Sequence, residues 1–319
     1  MTEPAIATSA QPQQRKAAAL PPAAPEEPRT PSTTGWLAFL ALGWLVVALL
    51  FYRTAFAGDD GDYKLVLAAV LLPLVIQANL LAGAAVGLWS TLALGRRKPW
   101  AEQGPGRWAV GTAAGLLTGT LASGAILLAY GMSARAVGVV AVAVGVAGAL
   151  GGALGAIRPA RILAAGLSAA LAVLVFLNVV ALFSTSLLDA FGSGDTAAER
   201  YSANGLLAGT TAVIAGLVAG LAAYWRIRRA AARSGDTPKW PIFLAAGASA
   251  GLLLIIAEFC TRLGVAQLLS LAEKDISADT EILSFIAASR LNTGLVVLFV
   301  GAITTTIAYG RTLPKAVRD

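Results

Sequence analysis

The sequence predicts an all-α fold, a polytopic bundle of about eight transmembrane helices with both chain ends on the cytoplasmic side. Three observations predict it. The 319 residues are 57% hydrophobic and only 13% charged, with a mean hydropathy of +0.73, whereas a soluble domain carries about a quarter charged residues. The apolar residues form continuous runs without period-two alternation, and a chain in hydrocarbon satisfies its backbone internally by forming helices. Charge between the runs alternates in sign. The connections after the second, fourth, sixth and eighth runs carry arginine and lysine, while the others carry mostly acidic residues or little charge.

Residues 1–35 form a tail in which Pro4, Pro12, Pro21, Pro22, Pro25, Pro28 and Pro31 interrupt an Ala/Gln/Glu background. That composition cannot bury enough apolar surface to offset ordering, so a disordered cytoplasmic segment is expected. Arg15-Lys16 precede only Ala17–Leu20 before Pro21-Pro22, too short an apolar stretch for a signal peptide. The bundle is expected over 36–314, with spans near 36–56, 65–94, 108–130, 136–157, 162–183, 206–225, 241–260 and 288–309. A helix of about 20 residues crosses about 30 Å of hydrocarbon at 1.5 Å per residue. Pro73 is expected to break the long second run, leaving the true span to begin near Gln77. Residues 261–287 read as an outer amphipathic element, with Asp279 as an N-cap. A short cytoplasmic tail, 315–319, follows.

Orientation follows from the cations. Of 24 lysines and arginines, only Arg53, Lys64, Arg135, Arg200, Arg262, Lys274 and Arg290 fall on the outer side when the N-terminus is inside. The reverse threading would invert this bias. Trp36, Trp100, Trp108, Trp225 and Trp240 then fall at the cytoplasmic boundary, where an indole keeps one wet edge. The Ala/Gly/Arg-rich composition points to a bacterial plasma membrane.

Two stretches of the chain resemble each other. Ala78-Asn79-Leu80-Leu81-Ala82-Gly83 and Ala203-Asn204-Gly205-Leu206-Leu207-Ala208-Gly209 each open an apolar run. Each run leads to a basic connection and a cation–tryptophan pair, Arg107-Trp108 and Lys239-Trp240, and the sets end near Arg158 and Arg311. This pattern is expected of a parallel duplication with halves 36–159 and 162–314.

The chain excludes much chemistry. It has no histidine and one cysteine, Cys260, which removes the usual zinc sites, histidine-based catalysis and an intrachain disulfide. No glycine run has the strand-before, helix-after context of a nucleotide site, so neither cofactor nor ATP is expected on this chain. The net charge of +7 sits in short connections, where topology explains it without nucleic acid. The partners expected are the lipid bilayer and a membrane-complex or ATPase subunit.

Glu258 is the most pointed residue, a carboxylate within Leu252–Cys260 and flanked on both sides by apolar residues. An unpaired carboxylate in hydrocarbon costs several kcal/mol, so it must be protonated, paired or hydrated. Arg262, one turn on, is the obvious partner. Asn79, Asn178 and Asn292 complete the candidate polar site, although amides in spans commonly serve helix packing. Asp59, Asp60 and Asp62 form an acidic cluster on the first outer loop, able in principle to hold a divalent cation.

Three functions fit. The favoured one is a permease or permease-like subunit moving a small solute or lipid, ion-coupled through Glu258 or driven by a partner. A non-catalytic subunit or assembly scaffold of a larger complex comes next. An outer-face membrane-embedded transferase acting through the Asp59 cluster is third, and an enzyme is the less favoured class.

In a Cys260→Ala background, a membrane-impermeant maleimide applied to intact cells is expected to label Asp60→Cys and to spare Lys98→Cys. Labelling at Lys98→Cys alone would reverse the threading.

Overall fold

The computed structural model describes residues 31–55, 63–101, 103–130, 135–192, 194, 196–235, 237–271 and 277–312. These form α1 (Pro31–Ala55), α2 (Tyr63–Gly95), α3 (Gly104–Tyr130), α4 (Arg135–Gly155), α5 (Ala160–Leu182), α6 (Ser184–Ala190), α7 (Ala197–Ser234), α8 (Trp240–Leu269) and α9 (Ser277–Gly310). A single 3-10 turn, Pro99–Ala101, joins α2 to α3. All but α6 contain a segment long and apolar enough to cross a membrane, so the described residues form an all-helical bundle with eight membrane-spanning helices.

The surface matches that reading. Leu128 is 90% exposed, and Leu121, Phe39 and Phe299 are likewise exposed. Spread over every flank, such surface is costly in water and at home among lipid chains. The deepest helix is α2, where Leu72, Val75, Ile76, Ala78 and Ala82 are wholly enclosed by its neighbours. It packs against α1, α3, α4, α5 and α8.

Several expected boundaries move. Pro73 does not end a helix, because α2 runs continuously through it from Tyr63 to Gly95. Neighbouring helices can supply partners for the carbonyl that a proline leaves free. Residues 261–269 continue α8 rather than lying as a separate surface helix. Asp279, expected as the N-cap, falls inside α9, which begins at Ser277. A short helix appears elsewhere instead, α6, beside α5 and α7. The helix α7 is 38 residues, about 57 Å, and overshoots the hydrocarbon at both ends. A capping box between Thr196 and Glu199 starts it, and Gly235, at φ 72°, ends it. Residues 31–35 of the expected tail belong to α1, while 1–30 and 313–319 lie outside the described residues.

Glycine decides how closely the helices approach. In α4, a Cβ on Gly152 would lie 2.6 Å from the Cα of Gly115 in α3. Gly119, Gly115 and Gly111 meet Gly145, Gly148 and Gly152 in turn, so α3 and α4 run antiparallel. Gly83 and Gly87 of α2 meet Gly148 and Gly152, so α2 and α4 run parallel. In the second set, Gly247 and Gly251 of α8 meet Gly301 and Leu298 of α9, again antiparallel. Gly216 and Gly220 of α7 meet Val300, Gly301 and Thr304 of α9, again parallel. In addition α1 packs on α2, and α5 packs on α7. The order of neighbours in α1–α4 therefore recurs in α5 and α7–α9.

The two sets meet chiefly where α8 lies on α2 and α4. Pairing the glycine contacts matches Gly115 with Gly247, Gly148 with Gly301 and Arg158 with Arg311, and it keeps Trp108 opposite Trp240. It matches Gly83 with Gly216 and therefore Asn79 with Ala212. The asparagine-containing runs around Asn79 and Asn204 are thus not equivalent in packing. Similar small-residue text had drawn them together.

Gly152→Leu is expected to lower the thermal midpoint of the purified protein by at least about 5 °C, since overpacking costs about 1–3 kcal/mol or more. Gly43→Leu, where a Cβ meets nothing within 4 Å, is expected to leave it unchanged.

Candidate functional site

Two buried stripes of α8 converge on Glu258. Gly247, Gly251 and Leu254 lead to it along the side toward α9, while Ala250, Leu253, Ala257, Thr261 and Gly264 form the adjoining stripe. Gly264 touches Leu72 of α2 and Ala143 of α4. Glu258 is 1% exposed. Arg262 donates from Nε to its Oε1 at 3.3 Å, and that arginine side chain is 40% exposed. Oε2 of Glu258 has no hydrogen-bond partner.

The second cation is Arg290 on α9, which acts electrostatically on Glu258 and is acted on in return. Its place follows from the helix crossing. Eleven residues beyond Gly247 on α8 is Glu258, and eleven residues before Gly301 on α9 is Arg290. Eleven residues are about three turns, so both side chains return to the face on which the glycines touch. Arg290 also donates from Nη2 to the backbone oxygen of Val70 in α2 at 3.3 Å. Val70 adjoins Ala69, whose carbonyl would have bonded the amide that Pro73 lacks. Three helices thus meet around one carboxylate and two guanidinium groups, with a charge of +1 when the carboxylate is ionised.

One turn along α8 from Glu258 lies a cavity of about 10 Å³. It is lined by Gln77, Leu80 and Leu81 of α2, Ala170 and Leu174 of α5, and Leu253, Leu254 and Ala257 of α8. That volume admits about one water molecule. Gln77 stands two turns from Val70 on α2, so the cavity and the charged cluster adjoin the same helices.

The structure joins Glu258 to Arg262, but the three asparagines do not come to that site. Asn79 is fully buried and donates to the backbone oxygen of Val144 in α4 at 2.6 Å. Asn178 donates to Leu174 within its own helix at 2.8 Å. Asn292 is exposed on α9. Thr305, completely buried, is within hydrogen-bonding reach of the Gly301 and Gly220 oxygens at 2.7 and 3.0 Å and so ties α9 to α7. Asn79 and Thr305 thus serve helix packing, and Asn178 bonds only within its own helix. Asp59, Asp60 and Asp62 lie outside the described residues, among which no cluster of three metal-ligating side chains occurs.

At the basic end of α7, Arg228 donates to the Tyr224 hydroxyl at 2.7 Å and Arg229 lies 4.9 Å from the Trp225 ring centre. That arrangement suits a headgroup layer. Comparison of the chain with protein-family models, curated proteins and solved structures finds no match.

Arg290 is the residue that sequence reasoning missed as a site member, having counted it only as an outer cation. The signal was present in the hairpin: Gly247, Gly251 and Glu258 share one face of α8, as Arg290, Gly294 and Gly301 share one face of α9.

Asn79→Leu is expected to cost about 1–2 kcal/mol in reversible unfolding, because it removes a buried bond between helices. Asn292→Leu is expected to be neutral within about 0.5 kcal/mol.

Proposed function

We propose that this integral membrane protein is a permease-like carrier of a small solute, with Glu258, Arg262 and Arg290 as its polar centre. The observation that carries the reading is the position of that centre where the two helix sets join. Arg290 reaches from the second set to the Val70 oxygen in the first. We also propose that the sets are copies of one four-helix unit, on the strength of their shared neighbour order and glycine contacts. By those contacts the positions matching Glu258, Arg262 and Arg290 in the first set are Ile126, Tyr130 and Val137. Ile126 is buried and apolar. The first set therefore carries neither carboxylate nor guanidinium at those places, which argues that the charges serve something other than holding the unit together. Ionisable groups among spanning helices are costly and usually belong to substrate or ion pathways. Parallel repeats with a site at their junction are a recurrent plan among carriers.

A second reading, a non-catalytic subunit of a larger complex, draws support from the small cavity and from polar groups engaged in helix packing.

Reconstitution separates the two. In liposomes with an imposed pH gradient, the purified chain is expected to move at least one solute from a set of small carboxylates, amino acids and sugars. Glu258→Gln is expected to reduce that flux at least about tenfold without loss of folding. Absence of flux for every solute, together with a stoichiometric partner on copurification, would favour the subunit reading.

A further inference from the structure

We infer that this chain pairs with a second copy of itself, α7 of one copy receiving α3 of the other. The pairing goes beyond the carrier reading and does not involve the charged centre. It rests on the proposed repeat only for the matching of positions between the two helix sets.

The joint between the sets is one-sided. Helix α8 of the second set lies on α2 and α4 of the first. A Cβ on Gly264 of α8 would meet Leu72 and Ile76 of α2. Leu253, Leu254 and Ala257 of α8 enclose a small apolar cavity with Leu80 and Leu81 of α2. A symmetrical exchange would also lay α3, the counterpart of α8, on α7, the counterpart of α2. Within one chain, however, α7 packs on α5, α6, α8 and α9, while α3 packs on α2 and α4 and only marginally on α1. The sets therefore meet head to tail. Such a joint leaves one inserting face and one receiving face unused.

Both of those faces point outward. On the receiving side, the match of Gly83 with Gly216 places Leu72, Ile76, Leu80 and Leu81 opposite Gly205, Gly209, Val213 and Ile214. Leu80 is 1% exposed, whereas Val213 is 45% exposed. A Cβ on Gly205 or Gly209 would meet nothing within 4 Å. On the inserting side, the match of Gly115 with Gly247 places Leu253, Ala257 and Thr261 opposite Leu121, Ala125 and Ala129. Leu253 is 9% exposed, whereas Leu121 is 68% exposed, and Ala125 and Ala129 are exposed beside it. Residues four apart share a helix face, so these three form one stripe.

Shape and depth agree with the pairing. The receiving strip of α7 is smooth backbone at Gly205 and Gly209, and the inserting stripe of α3 brings the bulk of Leu121. Helices in lipid associate where small residues let a neighbour come close. Leu121 stands thirteen residues beyond Trp108, and Val213 twelve residues before Trp225. Both tryptophans are expected at the cytoplasmic boundary, so the two side chains lie about 18–20 Å from it along their helices. Used in both directions, the joint closes two copies into a ring of four helix sets around an axis along the membrane normal.

Disulfide trapping in native membranes tests this, in a Cys260→Ala background. A chain carrying Leu121→Cys and Val213→Cys is expected to give a covalent dimer as its main product on mild oxidation, since a disulfide needs Cα atoms within about 7 Å. A chain carrying Leu121→Cys and Val46→Cys, the latter exposed on α1, is expected to stay monomeric. In nanodiscs the native chain is expected to have the mass of a dimer. Gly209→Trp, which fills the receiving strip, is expected to weaken dimerisation at least about tenfold. Gly43→Trp, at another open position, is expected to leave it intact.

A monomeric mass, trapping of the Val46 pair as strong as that of the Val213 pair, or undiminished dimer in folded Gly209→Trp would overturn the inference. So would trapping of either cysteine to a different protein. The failures are separable. Solute flux by a chain that stays monomeric would refute the pairing and leave a carrier. Trapping as described with no flux of any solute would do the reverse.

Discussion

Hydrocarbon offers no hydrogen bonds, and most features of this structure follow from that constraint. The backbone satisfies itself in helices that run the full depth of the bilayer, even through Pro73. Side chains obey the same rule. The Thr118 and Thr293 hydroxyls bond back to their own helices, and Asn79 and Thr305 tie neighbouring helices together. Glu258, with one oxygen bonded to Arg262 and the other unmet, stands out against this background.

Where the hydrophobic effect cannot drive helices together, contact area must. The glycines of α2, α3 and α4 converge on Gly148 and Gly152, and those of α7 and α8 converge on Gly301. Removing Cβ atoms at these crossings brings backbones into direct contact and spreads dispersion attraction along whole faces. The same crossings act as a ruler. Once Gly247 lies on Gly301, helical periodicity brings Glu258 and Arg290 to the same level and face. Packing thereby builds the charged centre, although no glycine takes part in it.

Fold class, span number and most boundaries were legible in the sequence because hydropathy and length are properties of single segments. The start of α2, the continuation of α8 through Thr261 and the short α6 were less so, because they depend on which neighbours receive each helix. The candidate site was half legible. Glu258 and Arg262 are one turn apart, a relation that local sequence states directly. Arg290 and the Val70 oxygen are joined to them only through helix crossings, which one sequence does not reveal. Asn178 and Asn292 were drawn in by residue type alone, and their surroundings assign them elsewhere.

The charged centre at the α2–α8–α9 meeting point is the claim on which the functional account turns. A double-mutant cycle with Glu258→Gln and Arg290→Gln, read by reversible unfolding in bilayer-like medium, measures it most directly. The account predicts a favourable coupling of at least about 1 kcal/mol between the two residues. Additive effects within about 0.3 kcal/mol would contradict it, since the two charges would then not sense each other.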